Sequence, residues 1–261
     1  MVRMREVIGA GLLLAVVAGP VGAQSAPSTV QKPAARVKRE PGRGFVAINT
    51  GVQGPSGFTD QFVFTANAEA GQIEATSPSM TPWLFDASVG DRFWGRFGIG
   101  VGGSRASVTK TSFVRASVPH PFLLDHDRDI EGESPDVTRT ETAAHLQLFY
   151  EMVPKGQWRG RFFAGPSYVT VEQDLVRDVT VNETYPFDTA TFRSALIGQA
   201  DGSGFGFNVG ADLSWLFSRR AGAGVLVRYA HAVIDLNAPD SRSVSTDGGG
   251  LQVGAGLRVL F

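Results

Sequence analysis

The sequence predicts an all-β fold: a single eight-stranded antiparallel transmembrane β-barrel wound as an up-and-down meander. Three observations carry that expectation. Eight segments alternate apolar and polar residues with the period of a strand that has one oily and one wet face. The connections between these segments are short and long by turns. The wet faces hold glycine beside ionisable groups, and the oily faces end in bulky aromatics.

The segments follow in chain order. Val46, Ile48, Thr50 and Val52 oppose Ala47, Asn49, Gly51 and Gln53. Trp83, Phe85, Ala87 and Val89 oppose Asp86 and Ser88. Phe97, Ile99 and Val101 oppose Arg96, Gly98, Gly100 and Gly102. Over 138–153, Leu146, Leu148, Tyr150 and Met152 oppose Arg139, Glu141, His145, Gln147 and Glu151. Residues 160–171 alternate less cleanly, with Phe162, Ala164, Pro166 and Tyr168 on the oilier face. Phe205, Phe207, Val209, Ala211, Leu213, Trp215 and Phe217 oppose Gly206, Asn208, Gly210, Asp212 and Ser214. Val225, Val227, Tyr229 and Val233 oppose Gly224, Arg228 and Ala230, with His231 intruding on the oily side. Finally Leu251, Val253, Ala255, Leu257, Val259 and Phe261 oppose Gln252, Gly254, Gly256 and Arg258.

The connections at 91–95, 154–158 and 218–222 are tight. Those at 54–80, 117–137, 177–203 and 237–247 are long, polar and expected as loops. Eight antiparallel strands put every tight turn at one end, with both termini, and every long connection at the other. Residues 1–23 have the pattern of a secretory signal peptide. Arg3 and Arg5 precede an apolar run at 7–19 and small residues at 21–23. Residues 24–43, rich in Pro, Ala, Ser and basic side chains, read as a disordered periplasmic leader, which leaves 44–261 for the barrel. There is no cysteine, and so neither a disulfide nor a lipid-bearing amino-terminal Cys. A formal net charge of −1 with 19% charged residues gives no electrostatic reason to expect nucleic acid. After residue 23 no apolar run is long enough for a membrane helix.

A secreted soluble barrel of the lipocalin kind would bury the oily face and wet the polar one. Gly98, Gly100, Gly102, Gly206, Gly210, Gly224, Gly254 and Gly256 make a poor solvent surface, because glycine weakens strands, but suit a narrow lumen. Trp83, Phe85, Phe97, Trp158, Phe162, Trp215, Phe217 and Phe261 cluster near strand ends, as interfacial girdles do. The oily faces also approach the length of a tilted membrane strand. The wet face is therefore expected inside.

On these patterns the chain resembles the small eight-stranded bacterial outer-membrane barrels of the OmpA/OmpX type, over nearly everything from about residue 43. The resemblance implies a Gram-negative outer-membrane location, with membrane lipid and lipopolysaccharide as surroundings. It also implies an assembly signal in the last strand, ending at Phe261 and read by the outer-membrane assembly machinery. No peptidoglycan-binding domain is expected, since the chain stops at that strand. No activity follows from the resemblance.

In a barrel this narrow, side chains fill the interior. Asp86, Arg96, Arg139, Glu141, His145, Glu151, Asp212, Arg228 and Arg258 are expected to form a lumen network of ion pairs and hydrogen bonds, because unpaired buried charge is costly. That favours a plug over a narrow porin-like pore for small or hydrophobic solutes. Asp125, Asp127, Asp129, Glu131 and Asp136 have a spacing like that of a calcium loop. Ile130 stands where such a loop needs glycine, so the stretch reads first as a solvated acidic loop. Gly98, Gly100 and Gly103 spell a dinucleotide-binding pattern, but no helical period follows, and no cofactor is expected. Among His120, His126, His145 and His231, His126 is the candidate for a lipid-modifying or proteolytic site at the rim. The leading expectation is a non-enzymatic protein that acts through its outer loops.

Overall fold

A computed structural model describes residues 42–152, 156–237 and 243–261. The predicted signal peptide and nearly all of the leader lie outside them. The strands are β1 (Gly44–Gln53), β2 (Ser56–Ala66), β3 (Glu69–Met80), β4 (Trp83–Trp94), β5 (Phe97–Pro119), β6 (Asp127–Met152), β7 (Trp158–Glu183), β8 (Ala190–Leu216), β9 (Ala221–Asn237) and β10 (Ser243–Leu260). Every strand pairing is antiparallel.

Eight of these strands close a ring. β4, β5, β6, β7, β8, β9 and β10 follow one another, and β1 pairs with both β4 and β10. These eight are the segments that alternate in the sequence. Closure leaves no edge at membrane depth, where an unpaired amide would have no water to bind. The seam is complete from Phe45↔Leu260 to Gln53↔Gln252. Gly44 and Phe261 exchange two further backbone hydrogen bonds of 3.0 Å.

Most of the long polar stretches form strands rather than loops; of 237–247, residues 243–247 belong to β10 and 238–242 lie outside the described residues. Residues 54–80 form the hairpin β2–β3, inserted between ring strands, and β3 pairs with the outer part of β5 from Gln72↔Ser117 to Thr76↔Phe113. Most of 117–137 and 177–203 continues β5, β6, β7 and β8, which run 23, 26, 26 and 27 residues. Bulges hide this continuation. β6 carries one residue more than β5 between Asp136 and Glu133, β7 one more than β8 between Val176 and Asp178, and β8 one more than β7 between Ser194 and Phe192. Each extra residue swaps the inward and outward faces of its strand and ends the simple alternation.

The solvation pattern inverts along the axis. In the turn-end half the outward residues are large and apolar, among them Ile99, Val101, Leu146, Leu148, Val209, Val227 and Val253. Trp94, Phe97, Trp158, Trp215, Phe217 and Phe261 ring this band at the turn end, and Trp83, Phe85, Tyr168, Phe205, Phe207 and Tyr229 at the other. Phe205 and Trp215 stand ten positions apart on β8. At roughly 3.3 Å per residue and a tilt near 40°, the band is about 25 Å tall, the height of a membrane barrel's apolar belt. Above it the outward residues become Glu172, Asp201, Asp235 and Asn237. There the interior turns apolar instead. Val169, Val171, Leu175, Ala200, Ala232, Ile234 and Leu236 form one cluster, and Ile73, Ala75, Val114, Ala116, Val118, Ile130, Val176 and Ala195 form another. The extension is thus built like a water-soluble sheet, on top of a barrel built for lipid.

The seam also explains one glycine. A Cβ at Gly256 would collide with the carbonyl oxygen of Ile48 and lie 2.8 Å from the Asn49 Cα. Gly256→Val is expected to prevent β1–β10 closure and to abolish the heat-modifiable gel mobility of the folded barrel. Gly103→Ala, whose Cβ would have no heavy atom nearer than 3.7 Å, should retain that mobility.

Candidate functional site: the polar plug of the barrel

Alternation sends one face of each ring strand into the lumen, and the polar side chains there meet in two layers. The turn-end layer has two carboxylate centres. Glu151 on β6 receives Arg92 from β4 at 3.1 Å and Arg159 from β7 at 2.8 Å. Asp212 on β8 receives Arg161 from β7 at 3.3 Å, and the Nε of Arg258 from β10 at 3.0 Å. The Arg161 guanidinium lies 3.3 Å from the centroid of the Phe45 ring, within cation–π range. Phe45 meets Phe149 edge to face at 5.4 Å, and Phe163, Leu226 and Leu260 complete the apolar packing around them.

The middle layer is one continuous chain of hydrogen bonds. Asn49 Nδ2 donates to Asp86 Oδ1 at 2.9 Å, and Asp86 pairs with Arg228 at 2.9 Å. Arg228 Nε donates to Gln252 at 2.7 Å, Gln252 donates to Gln53 at 2.8 Å, and Gln53 donates to Glu141 at 2.8 Å. Arg139 Nε closes on the other Glu141 oxygen at 2.8 Å and reaches Gln173 at 2.8 Å and Thr246 at 3.1 Å. Asp86 and Arg228 are each only 1% exposed. Beside this chain, His145 touches the Ser104 hydroxyl with Nε2 at 3.1 Å and the Ser167 hydroxyl with Nδ1 at 2.8 Å. Asn208 donates to Ser167 at 2.9 Å.

Of the nine expected lumen residues, Asp86, Arg139, Glu141, His145, Glu151, Asp212, Arg228 and Arg258 point inward and take part. Arg96 does not. It lies in the turn between β4 and β5, is exposed, and reaches outward to the Tyr150 hydroxyl at 3.3 Å. The chain reverses at Gly95, where φ is +59°, so the parity of β5 does not extend back to residue 96. Arg92 on β4 serves Glu151 instead. The sequence reading missed Arg159, Gln173 and Thr246. Arg159 and Gln173 fall just beyond the 160–171 segment, in phase with Arg161 and Val171, so extending the period by one step at each end would have found both.

The acidic stretch forms no loop either. Asp125 sits in the turn before β6, and Asp127, Asp129 and Glu131 lie on the exposed face of that strand. Glu131 pairs with Arg115 at 3.0 Å, Asp127 accepts from Ser117 at 3.2 Å, and Asp136 accepts from Thr111 at 3.1 Å. Among the described residues no group of three or more ligating side chains could hold a metal ion. The glycines of the dinucleotide-like pattern lie within β5. His126 is exposed in the outer turn with its ring 5.7 Å from that of His120, while His231 lies outside the barrel among Phe207 and Tyr229. Phe261 is exposed at the turn end of the apolar band.

No family model and no curated protein matches this chain. Solved structures do resemble it. The outer membrane protein OprG from Pseudomonas aeruginosa is 11% identical, over 84% of this chain and 96% of its own, with a TM-score of 0.47. Neisserial surface protein A is 14% identical, over 84% and 97%, with a TM-score of 0.41. The outer membrane protease OmpT from Escherichia coli is 12% identical, over 85% and 98%, with a TM-score of 0.45.

Proposed function

We propose that this chain is a non-conducting, non-enzymatic outer-membrane barrel whose tall outer sheet meets molecules at the cell surface. One observation carries the reading: the unbroken chain of hydrogen bonds from Asn49 through Arg228 and Gln53 to Arg139, which crosses the lumen where a pore would run. A channel would need that chain to open, and each broken link would strand a buried polar group at about 1–3 kcal/mol. The Ser–His contacts around His145 belong to the plug. His145 is 2% exposed, and a buried pair has no room for a substrate carbonyl. The apolar band with its two aromatic girdles supports insertion among lipid and lipopolysaccharide. The exposed carboxyl-terminal Phe261 supports recognition by the assembly machinery, and the signal-peptide pattern supports export to that site.

Planar bilayer recording tests the closed lumen. Protein whose folding has been verified by heat-modifiable mobility should produce no discrete conductance steps. Steps that recur from one preparation to the next would overturn the reading in favour of a narrow channel.

A further inference from the structure

The charges of the lumen do not balance evenly. In the middle layer Asp86 matches Arg228 and Glu141 matches Arg139, one carboxylate for each guanidinium. In the turn-end layer, even with Arg92 set aside, Arg159, Arg161 and Arg258 share only Glu151 and Asp212. At least one positive charge is left over among side chains that are at most 13% exposed. An uncompensated charge at that depth is costly. The Phe45 ring attracts Arg161 but cannot cancel its charge. These groups also surround a small cavity of about 20 Å³, lined by Arg159, Arg161, Arg258, Glu151, Asp212 and Ser214 among others. That volume admits one water-sized particle.

We propose that this cavity is an anion site: it takes one chloride-sized inorganic anion from the aqueous phase at the turn end. The anion would accept N–H bonds from Arg161 and Arg258 and an O–H bond from Ser214, and its negative charge offsets surplus positive charge in the layer. A polyatomic organic anion such as gluconate is too large for the space. Bound there, the anion offsets positive charge in the layer that seals the bottom of the barrel, so it acts as a structural counter-ion.

The test uses the full mature chain in phosphatidylcholine nanodiscs at fixed ionic strength, with chloride replacing gluconate. The midpoint of the heat-modifiable transition should rise saturably from the gluconate value, by about 3–5 °C for each tenfold increase in chloride above its dissociation constant. Arg161→Gln removes one positive charge and one N–H donor from the cavity lining and should make the midpoint indifferent to chloride. If that variant does not fold, crystals of the unaltered protein grown in bromide give a second reading, an anomalous peak between Arg161, Arg258 and Ser214. Identical midpoints in chloride and gluconate, or an empty cavity in bromide, would overturn the site. Conductance steps would count against the closed lumen and leave the site standing. A silent barrel indifferent to chloride would lose the site alone.

Discussion

Asp86→Ala should lower the unfolding free energy by about 3–5 kcal/mol, because it leaves Arg228 buried without its counter-charge. The estimate rests on depth: both side chains are 1% exposed. The loss also spreads, since Asn49 loses its acceptor and the link through Arg228 to Gln252 loses its anchor. Removing both charges is a different matter. The double variant Asp86→Leu with Arg228→Met leaves no orphaned ion and should recover most of the loss, as apolar replacements of buried ion pairs often do. Denaturant titration in lipid vesicles, followed by tryptophan fluorescence, measures both. A loss below about 1 kcal/mol for the single variant would mean that water reaches the pair and that the lumen is not sealed there.

The second large effect lies on the opposite face. Val227 points outward from the middle of the apolar band, between Ala211 on β8 and Val253 on β10. Val227→Arg should cost about 2–4 kcal/mol, the range for a cation on the lipid face near the bilayer midplane. Asp235→Arg, farther along the same strand and above the band, should cost about 0–1 kcal/mol. The two variants share strand, partner strands and new side chain, so their difference isolates depth in the membrane. Equal costs would mean that hydrocarbon does not surround this face.

The same contrast marks what the sequence could convey. Where lipid lies on one side and a wet lumen on the other, every second residue must be oily, and the eight ring strands could be found by counting in twos. The extension obeys the same period with its faces exchanged, and bulges near Pro135, Arg177 and Arg193 shift the phase within β6, β7 and β8. Strands with polar outer faces and broken phase look like loops, which is why 117–137 and 177–203 were expected as such. The hairpin β2–β3 was hidden for a related reason. β3 carries Gly71, Pro78 and several Ser and Thr residues that suggest a turn, and its inward Ile73 and Ala75 find their partners on β5 and β7, far away in the chain. The plug was largely legible because ionised groups at alternate positions of a lipid-facing strand have only the lumen to enter. Its geometry was not, since which arginine reaches which carboxylate depends on the tilt and stagger of strands that are distant in sequence.

The exchange of faces partway up the wall acts as a waterline. Were the barrel to sink, Glu172, Asp201 and Asp235 would enter hydrocarbon, and were it to rise, Val209 and Val227 would meet water. Both displacements are uphill, so the molecule floats at one draught whatever tugs on it from outside. From Tyr168 to Glu183, β7 climbs fifteen residues above that line. That lifts its tip on the order of 40 Å clear of the membrane, like a rigid mast of constant height.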